Sequence, residues 1–145
     1  MVKMGAGHQF TYDPPMREVR VGWAAGKFAQ DITVAGHRLR ADEETEKGGD
    51  DTGAAPHELL LAALGSCTAM TLRVYAERKG WALRDAHVTL NGTHVDGTFQ
   101  ITRQVELTGD LDAEQRQRLL EIADKCPVHK TLVGEVAITT SERSA

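Results

Sequence analysis

The chemistry-bearing side chains of this sequence are its two cysteines, Cys67 and Cys126, 59 residues apart. A thiolate is a strong nucleophile near neutral pH, and two thiols brought to one place form and break a disulfide. In a reducing compartment cysteines stay reduced by default, so a pair that closes is read as redox chemistry and not as a structural staple. The plain alternative for Cys67 is a small apolar core residue, because free cysteine is among the most buried residue types. Two features argue against it. Gly65, Ser66 and Thr68 place small and hydroxyl-bearing residues around the thiol inside the leucine-rich run LLLAALGSCTAMTL, which is read as room for a substrate. The second feature is Cys126, in DKCPVHK: a residue before proline is biased away from helical geometry, so Cys126 is expected on a bend where a helix terminates.

That position sets an expected electrostatic difference between the two thiols. The C-terminus of a helix disfavours a thiolate, so Cys126 suits a resolving role, with Lys125, His129 and Lys130 softening the effect. Cys67 lies eleven residues past Pro56, beyond the reach of its own helix dipole, so a thiolate there needs a cation from elsewhere. Lys27, Arg38, Arg40 and a residue of a second subunit are the candidates.

Metal binding is the rival chemistry for Cys126-Pro-Val-His129, with His57 and Glu58 as further ligand types. One C-x-x-H pair falls short of a four-ligand pattern. Along a helix, His57 and Cys67 are separated by ~15 Å and ~80°, so they cannot share one ion within one chain. The expectation is no bound metal and no organic cofactor. His8, His37, His87 and His94 are read as surface residues. The acidic residues between Asp42 and Asp51 lack the spacing of a calcium loop, and Ser66 lacks the flanking glycines of a nucleophile elbow.

The elements that must position these groups follow from pattern. Residues 16 to 41 alternate apolar and polar positions with Gly26 and Gly36 as punctuation, which predicts two or three antiparallel strands. Residues 42 to 56 (DEETEKGGDDTGAAP) form an acidic, exposed loop. Pro56 opens a helix to Lys79, with Glu58 favourable in its first turn and Gly80 as its stop. The helix is apolar nearly all round from Leu59 to Ala76, so it is expected to be enclosed on most sides.

A hairpin follows, turning between Asn91 and Thr98, with Val88, Leu90, Phe99, Ile101, Val105 and Leu107 at strand spacing. An amphipathic helix spans 111 to 125, capped by Asp112 and Gln115 and ended by Pro127. A last strand is expected over 135 to 140. The order predicts an α+β fold with a mostly antiparallel sheet in a single domain, residues 1–145.

Composition bounds the partners. A net charge of −4 lacks the footprint of nucleic-acid binding. The apolar run from Leu59 to Leu72 falls short of the ~20 residues a bilayer needs, so no membrane is expected. The N-terminus lacks a signal-peptide pattern, so a cytoplasmic protein is expected.

The run PHELLLAALGSCT at 56–68, followed by CPVHKTL at 126–132 and preceded by GGDDTGAAP, resembles the OsmC/Ohr family (osmotically induced protein C-like, or organic hydroperoxide resistance-like). The likeness extends from the N-terminal strands to Val136. It implies an intertwined homodimer whose two long central helices are wrapped by sheets, with sites at the subunit interface. It also implies thiol-dependent reduction of organic hydroperoxides or hydrogen peroxide, with Cys67 attacking and Cys126 resolving. The reductant implied is an external dithiol, such as a lipoyl protein or a thioredoxin-like protein.

Peroxidase members hold the attacking cysteine with an arginine from the N-terminal strands and a glutamate directly after the helix-starting proline. Here His57 takes the glutamate position with Glu58 one residue on, rotated by ~100°. Lys27 is the nearest counterpart of the arginine, with Arg38 and Arg40 as alternatives. The resemblance is closest to the branch carrying GGDD, CTAMT and CPVHK.

Overall fold

The computed structural model describes Val2–Lys3, Thr11–Tyr12 and residues 15–144; His8 lies outside the described residues. The chain is α+β, with antiparallel pairing in every sheet described. Strands β1 (Val2–Lys3) and β2 (Thr11–Tyr12) form a short pair. The predicted N-terminal strands are β3 (Val19–Trp23), β4 (Gln30–Val34) and β5 (His37–Ala41), hydrogen-bonded in that order.

The acidic segment after β5 is not simply solvated. Asp42 is 2% exposed, and its carboxylate accepts hydrogen bonds from the Thr52 hydroxyl (2.6 Å), the Thr52 N–H (3.0 Å) and the Glu43 N–H (2.7 Å). A single turn of 3-10 helix, Thr45–Lys47, and a parallel bridge between Ala41 and Ala54 complete a closed loop. The Thr52 hydroxyl is the main reason that the Asp42 carboxyl titrates below its ordinary value.

Helix α1 (Pro56–Lys79) runs over the predicted span. Proline at its first position leaves no orphan N–H, and the Glu58 carboxylate accepts from the Ala55 N–H at 2.7 Å. Gly80, at φ +69°, ends it by donating to the Ala76 and Glu77 carbonyls. Its buried side is Leu64, Gly65, Cys67, Thr68, Thr71, Leu72 and Ala76. That side packs on a long hairpin, β6 (Ala82–Val95) and β7 (Thr98–Asp110).

The hairpin turn is tighter than expected. Pairing continues to Val95 opposite Thr98 because Asp96 and Gly97 both take positive φ, 49° and 81°, as a two-residue turn matching the strand twist requires. Along β7 the odd positions Phe99, Ile101, Arg103, Val105 and Leu107 are half-buried and the even ones exposed.

Helix α2 (Ala113–Ala123) starts at the predicted cap, where Asp112 accepts from the Gln115 N–H at 2.7 Å and Gln115 from the Asp112 N–H at 3.0 Å. Pro127, expected only to end this helix, instead opens a third one, α3 (Pro127–Val133), at the position where a missing N–H costs nothing. Two apolar clusters result. Leu72, Ala76, Leu119, Ile122 and Ala123 pack between α1 and α2, while Leu64, Cys67 and Cys126 pack with Leu90, Ile101 and Val128.

Two expectations are corrected. Residues 135 to 140 form no strand: Val136 and Ile138 alternate, but Ile138 is 84% exposed and among the described residues no strand edge pairs with it. And α1 is enclosed on one side only within the chain, leaving Ala62, Ala63, Ser66 and Met70 exposed on the other. By length and composition alone the complete helix, longer than the apolar run within it, could cross a membrane, a test that core helices of soluble proteins also meet.

The closed acidic loop predicts a local defect. Asp42→Ala is expected to speed limited proteolysis within residues 43–52 several-fold while the denaturation midpoint of the α1 and hairpin core stays put. Because the folded carboxyl titrates below its ordinary value, the loop's order is present above the unfolded carboxyl range and is lost as pH falls through the folded value. Cleavage unchanged in the variant would show that the backbone alone holds the loop.

Candidate active site

The two cysteines meet. Both are free and buried, Cys67 at 4% and Cys126 at 0% exposure, and they share one apolar cluster although α1 and the α2–α3 junction bring them from distant sequence. Cys67 projects from the middle of α1, where no backbone donor of its own helix is free. Burial pushes its thiol above the ordinary value; the Val128 N–H from α3 and the Thr71 hydroxyl oppose that shift, and the Cys126 sulfur adds to it. The Thr71 hydroxyl oxygen has no other partner.

Cys126 is not where the sequence placed it electrostatically. It lies on the expected bend after α2, its N–H donating to the Ala123 carbonyl at 3.4 Å, but it also caps the start of α3, and its Sγ accepts from the His129 N–H at 3.3 Å. The expected C-terminal dipole penalty is replaced by backbone donation, because Pro127 starts a new helix one residue on.

The small residues near Cys67 also differ in purpose from the expected substrate space. Gly65 admits Leu90 of β6: a Cβ there would lie 2.7 Å from Leu90 Cδ1. The Ser66 hydroxyl donates to the Ala62 carbonyl and the Thr68 hydroxyl to the Leu64 carbonyl, each at 2.7 Å.

The remaining predicted groups lie elsewhere in the chain. Glu58 spends its carboxylate on the helix cap. His57 packs edge-on against His94 and Phe99, with ring centroids 5.4 and 5.2 Å away, so His94 belongs to an aromatic cluster. Lys27 is exposed, its ammonium 5.1 Å from the Phe28 ring, Arg38 is exposed on β5, and Arg40 pairs with Asp31 at 3.4 Å. None of these joins the thiol cluster within one chain.

Among the described residues, a cation that does reach the site is Arg103 of β7. Its guanidinium donates to Thr68 Oγ1 (3.1 Å), Asp124 Oδ1 (2.7 Å) and His129 Nδ1 (3.1 Å), and Thr68 Oγ1 is 3.7 Å from Cys126 Sγ. Since a guanidinium only donates, His129 accepts at Nδ1 and carries its hydrogen on Nε2. Sequence reasoning passed over Arg103, yet a signal was there: in TFQITRQVEL it occupies the apolar register of the strand, where a charge requires a reason. Among the described residues no three His, Cys, Asp or Glu side chains converge as a metal site would require.

Beside the thiols lies a cavity of about 300 Å³, walled by Leu64, Phe99, Ile101, Leu132 and Val133, with Arg103 and His129 as its polar groups. The arrangement is an α+β protein with a buried dithiol beside an apolar cavity. The chain belongs to the OsmC-like protein family, whose profile matches residues 48–141.

Solved structures share the fold at low identity. A putative osmotic stress induced and detoxification response protein from Psychrobacter arcticus is 16% identical over 83% of this chain and 91% of its own, with a TM-score of 0.70. An OsmC-like protein from Mycoplasma pneumoniae is 17% identical over 83% and 89%, at 0.71. The organic hydroperoxide resistance protein OhrB of Bacillus subtilis is 23% identical over 82% and 91%, at 0.59. Curated protein sequences returned no match.

The raised Cys67 thiol has a signed consequence. With Cys126→Ser in place, burial remains the main cause, so alkylation of Cys67 by iodoacetamide is expected to climb roughly tenfold per pH unit from neutrality to beyond ~8.5 without levelling. A plateau below pH 7 would show that a cation outside the chain's own site ionises it.

Proposed function

We propose that this protein is a cofactor-free thiol peroxidase. Cys67 thiolate attacks a peroxide oxygen, the S–O bond forms as O–O breaks, and the departing alkoxide takes a proton to leave as alcohol. The Cys126 sulfur then displaces water from the sulfenic acid to form the disulfide, and an external dithiol, such as a lipoyl or thioredoxin-like protein, returns both thiols. The observation that carries this reading is the packing of two free thiols in one cluster, with the cavity of about 300 Å³ alongside. Its apolar walls favour organic hydroperoxides over hydrogen peroxide.

The working unit is proposed to be a homodimer. The β3–β5 sheet exposes Val19, Val21, Leu39 and Trp23, the last at 93%, and the outer face of α1 exposes Ala62, Ala63 and Met70. Contiguous apolar surface on these scales is characteristic of an interface. In this proposal a second copy supplies the family's activating positions, His57, Lys27 and Arg38, to the other chain's Cys67. The cytoplasm is the proposed compartment, as a reduced thiol pair requires.

A second reading is favoured by the burial of Cys67 and by the use of Glu58 as a helix cap: a protein that holds an apolar ligand and senses redox state with little peroxidase activity. Steady-state reduction of cumene hydroperoxide and of hydrogen peroxide separates the two. Cys67→Ser is expected to abolish turnover, while Cys126→Ser consumes one equivalent of peroxide and stops. Oxidation of wild-type Cys67 no faster than free cysteine would favour the ligand-binding reading. Sedimentation equilibrium is expected to give twice the chain mass, with Trp23→Asp shifting it toward monomer; a monomeric wild-type protein would remove the dimer.

A further inference from the structure

The Arg103 network touches one thiol of the pair and not both. Its guanidinium is held on three elements, through Thr68 on α1, Asp124 after α2 and His129 on α3, and the Thr68 hydroxyl relays it to Cys126. The Thr68 hydrogen is committed to the Leu64 carbonyl at 2.7 Å, so with Cys126 as a thiol the S–H points into Thr68 Oγ1. When Cys126 carries charge, the Thr68 hydroxyl can turn to donate, and the guanidinium stands directly behind it. The His129 N–H supplies a second donor. The other charged groups around this sulfur are Asp124, which already pairs with Arg103, and Lys125 and Lys130, which flank the junction in sequence. Cys67 also faces two donors, the Val128 N–H and the Thr71 hydroxyl, but among the described residues neither is backed by a guanidinium.

We propose that Arg103 is a positioning residue that makes Cys126 the leaving sulfur when the Cys67–Cys126 disulfide is reduced, directing the external dithiol onto Cys67. This rests on the thiol-pair reading above and deepens it. A thiolate of the dithiol attacks Cys67 Sγ, forming a mixed disulfide, and the Cys67–Cys126 bond breaks with its electron pair on Cys126. The second thiol of the reductant then displaces Cys67, and both protein sulfurs end as thiols when the two protons of the oxidised dithiol are taken up. Exchange is faster when the departing thiolate is better stabilised, and attack selects the more accessible sulfur. Both sulfurs are buried, so the choice between them falls to the departing group.

The test needs no peroxide. The disulfide is formed with diamide, and its reduction by dithiothreitol is followed in wild type, Arg103→Met and Arg103→Lys. Arg103→Met is expected to reduce roughly tenfold more slowly, and Arg103→Lys, which keeps the charge but cannot form the fork of hydrogen bonds, to recover most of the rate. A merely structural role would lower thermal stability in both variants without separating their rates. Acid-quenched reaction with glutathione should place the adduct on Cys67.

Should Arg103→Met fail to fold, Thr68→Val removes the relay with Arg103 in place and is expected to slow reduction in the same direction. Wild-type rates in the soluble variants, or an adduct on Cys126, would overturn the proposal. Because diamide forms the disulfide, absence of peroxidase activity leaves this measurement intact, and the two ideas fail separately.

Discussion

A guanidinium stands in the apolar row of β7, and the junction around the thiols is arranged to satisfy it. Arg103 is 11% exposed, and a charge that far from water must find partners or shift the structure until it does. Its partners come from all three helices or their ends: Thr68 from α1, Asp124 from the end of α2 and His129 from α3. One side chain thereby ties α1, the end of α2 and α3 to the hairpin, beside the apolar cluster of Leu72, Ala76, Leu119, Ile122 and Ala123. The bend carries Cys126 and the helix register carries Cys67 into the same cluster.

The two sulfurs reach the site by opposite devices, and the devices differ in electrostatics. Cys67 sits in an unbroken helix, where every backbone donor of its own turn is already used and burial opposes ionisation. Cys126 sits at a break, where Pro127 ends the demand for one hydrogen bond and frees the N–H of His129 for the sulfur. A break in secondary structure thus gives Cys126 polar support that sequence position alone would assign to neither thiol.

Much of this was legible beforehand. The proline start and glycine stop of α1 and the Asp112 cap of α2 follow from local signals whose partners lie within four residues, and the hairpin follows from strand-spaced apolar residues on either side of a turn. The convergence of Cys67 and Cys126 was legible through the resemblance, not through spacing. What was missed depended on long-range packing. Gly65 read as space for a substrate because the sequence does not show Leu90 filling it. Asp42 read as solvated because Thr52, ten residues on, is invisible to a local reading. Residues 135 to 140 carry a strand's alternation, but alternation makes a strand only where an edge is free to pair.

The distribution of polarity along α1 joins the fold to the assembly. The side carrying Cys67, Thr68 and Thr71 is covered by the hairpin and the α2–α3 junction, while the side carrying Ala63, Ser66 and Met70 is not. A helix apolar all round is stable in water only when both sides are covered, and this chain supplies cover for one. His57 at the first turn lies ~15 Å along the helix from Cys67, too far for the two to meet in one chain. Lys27 and Arg38 sit around a sheet that presents Trp23, Val19 and Val21 outward. In the proposed homodimer, any joint action of these groups with Cys67 would cross between chains, through the same apolar surfaces. Within one chain, the charge at the thiols comes from Arg103, and it comes to Cys126.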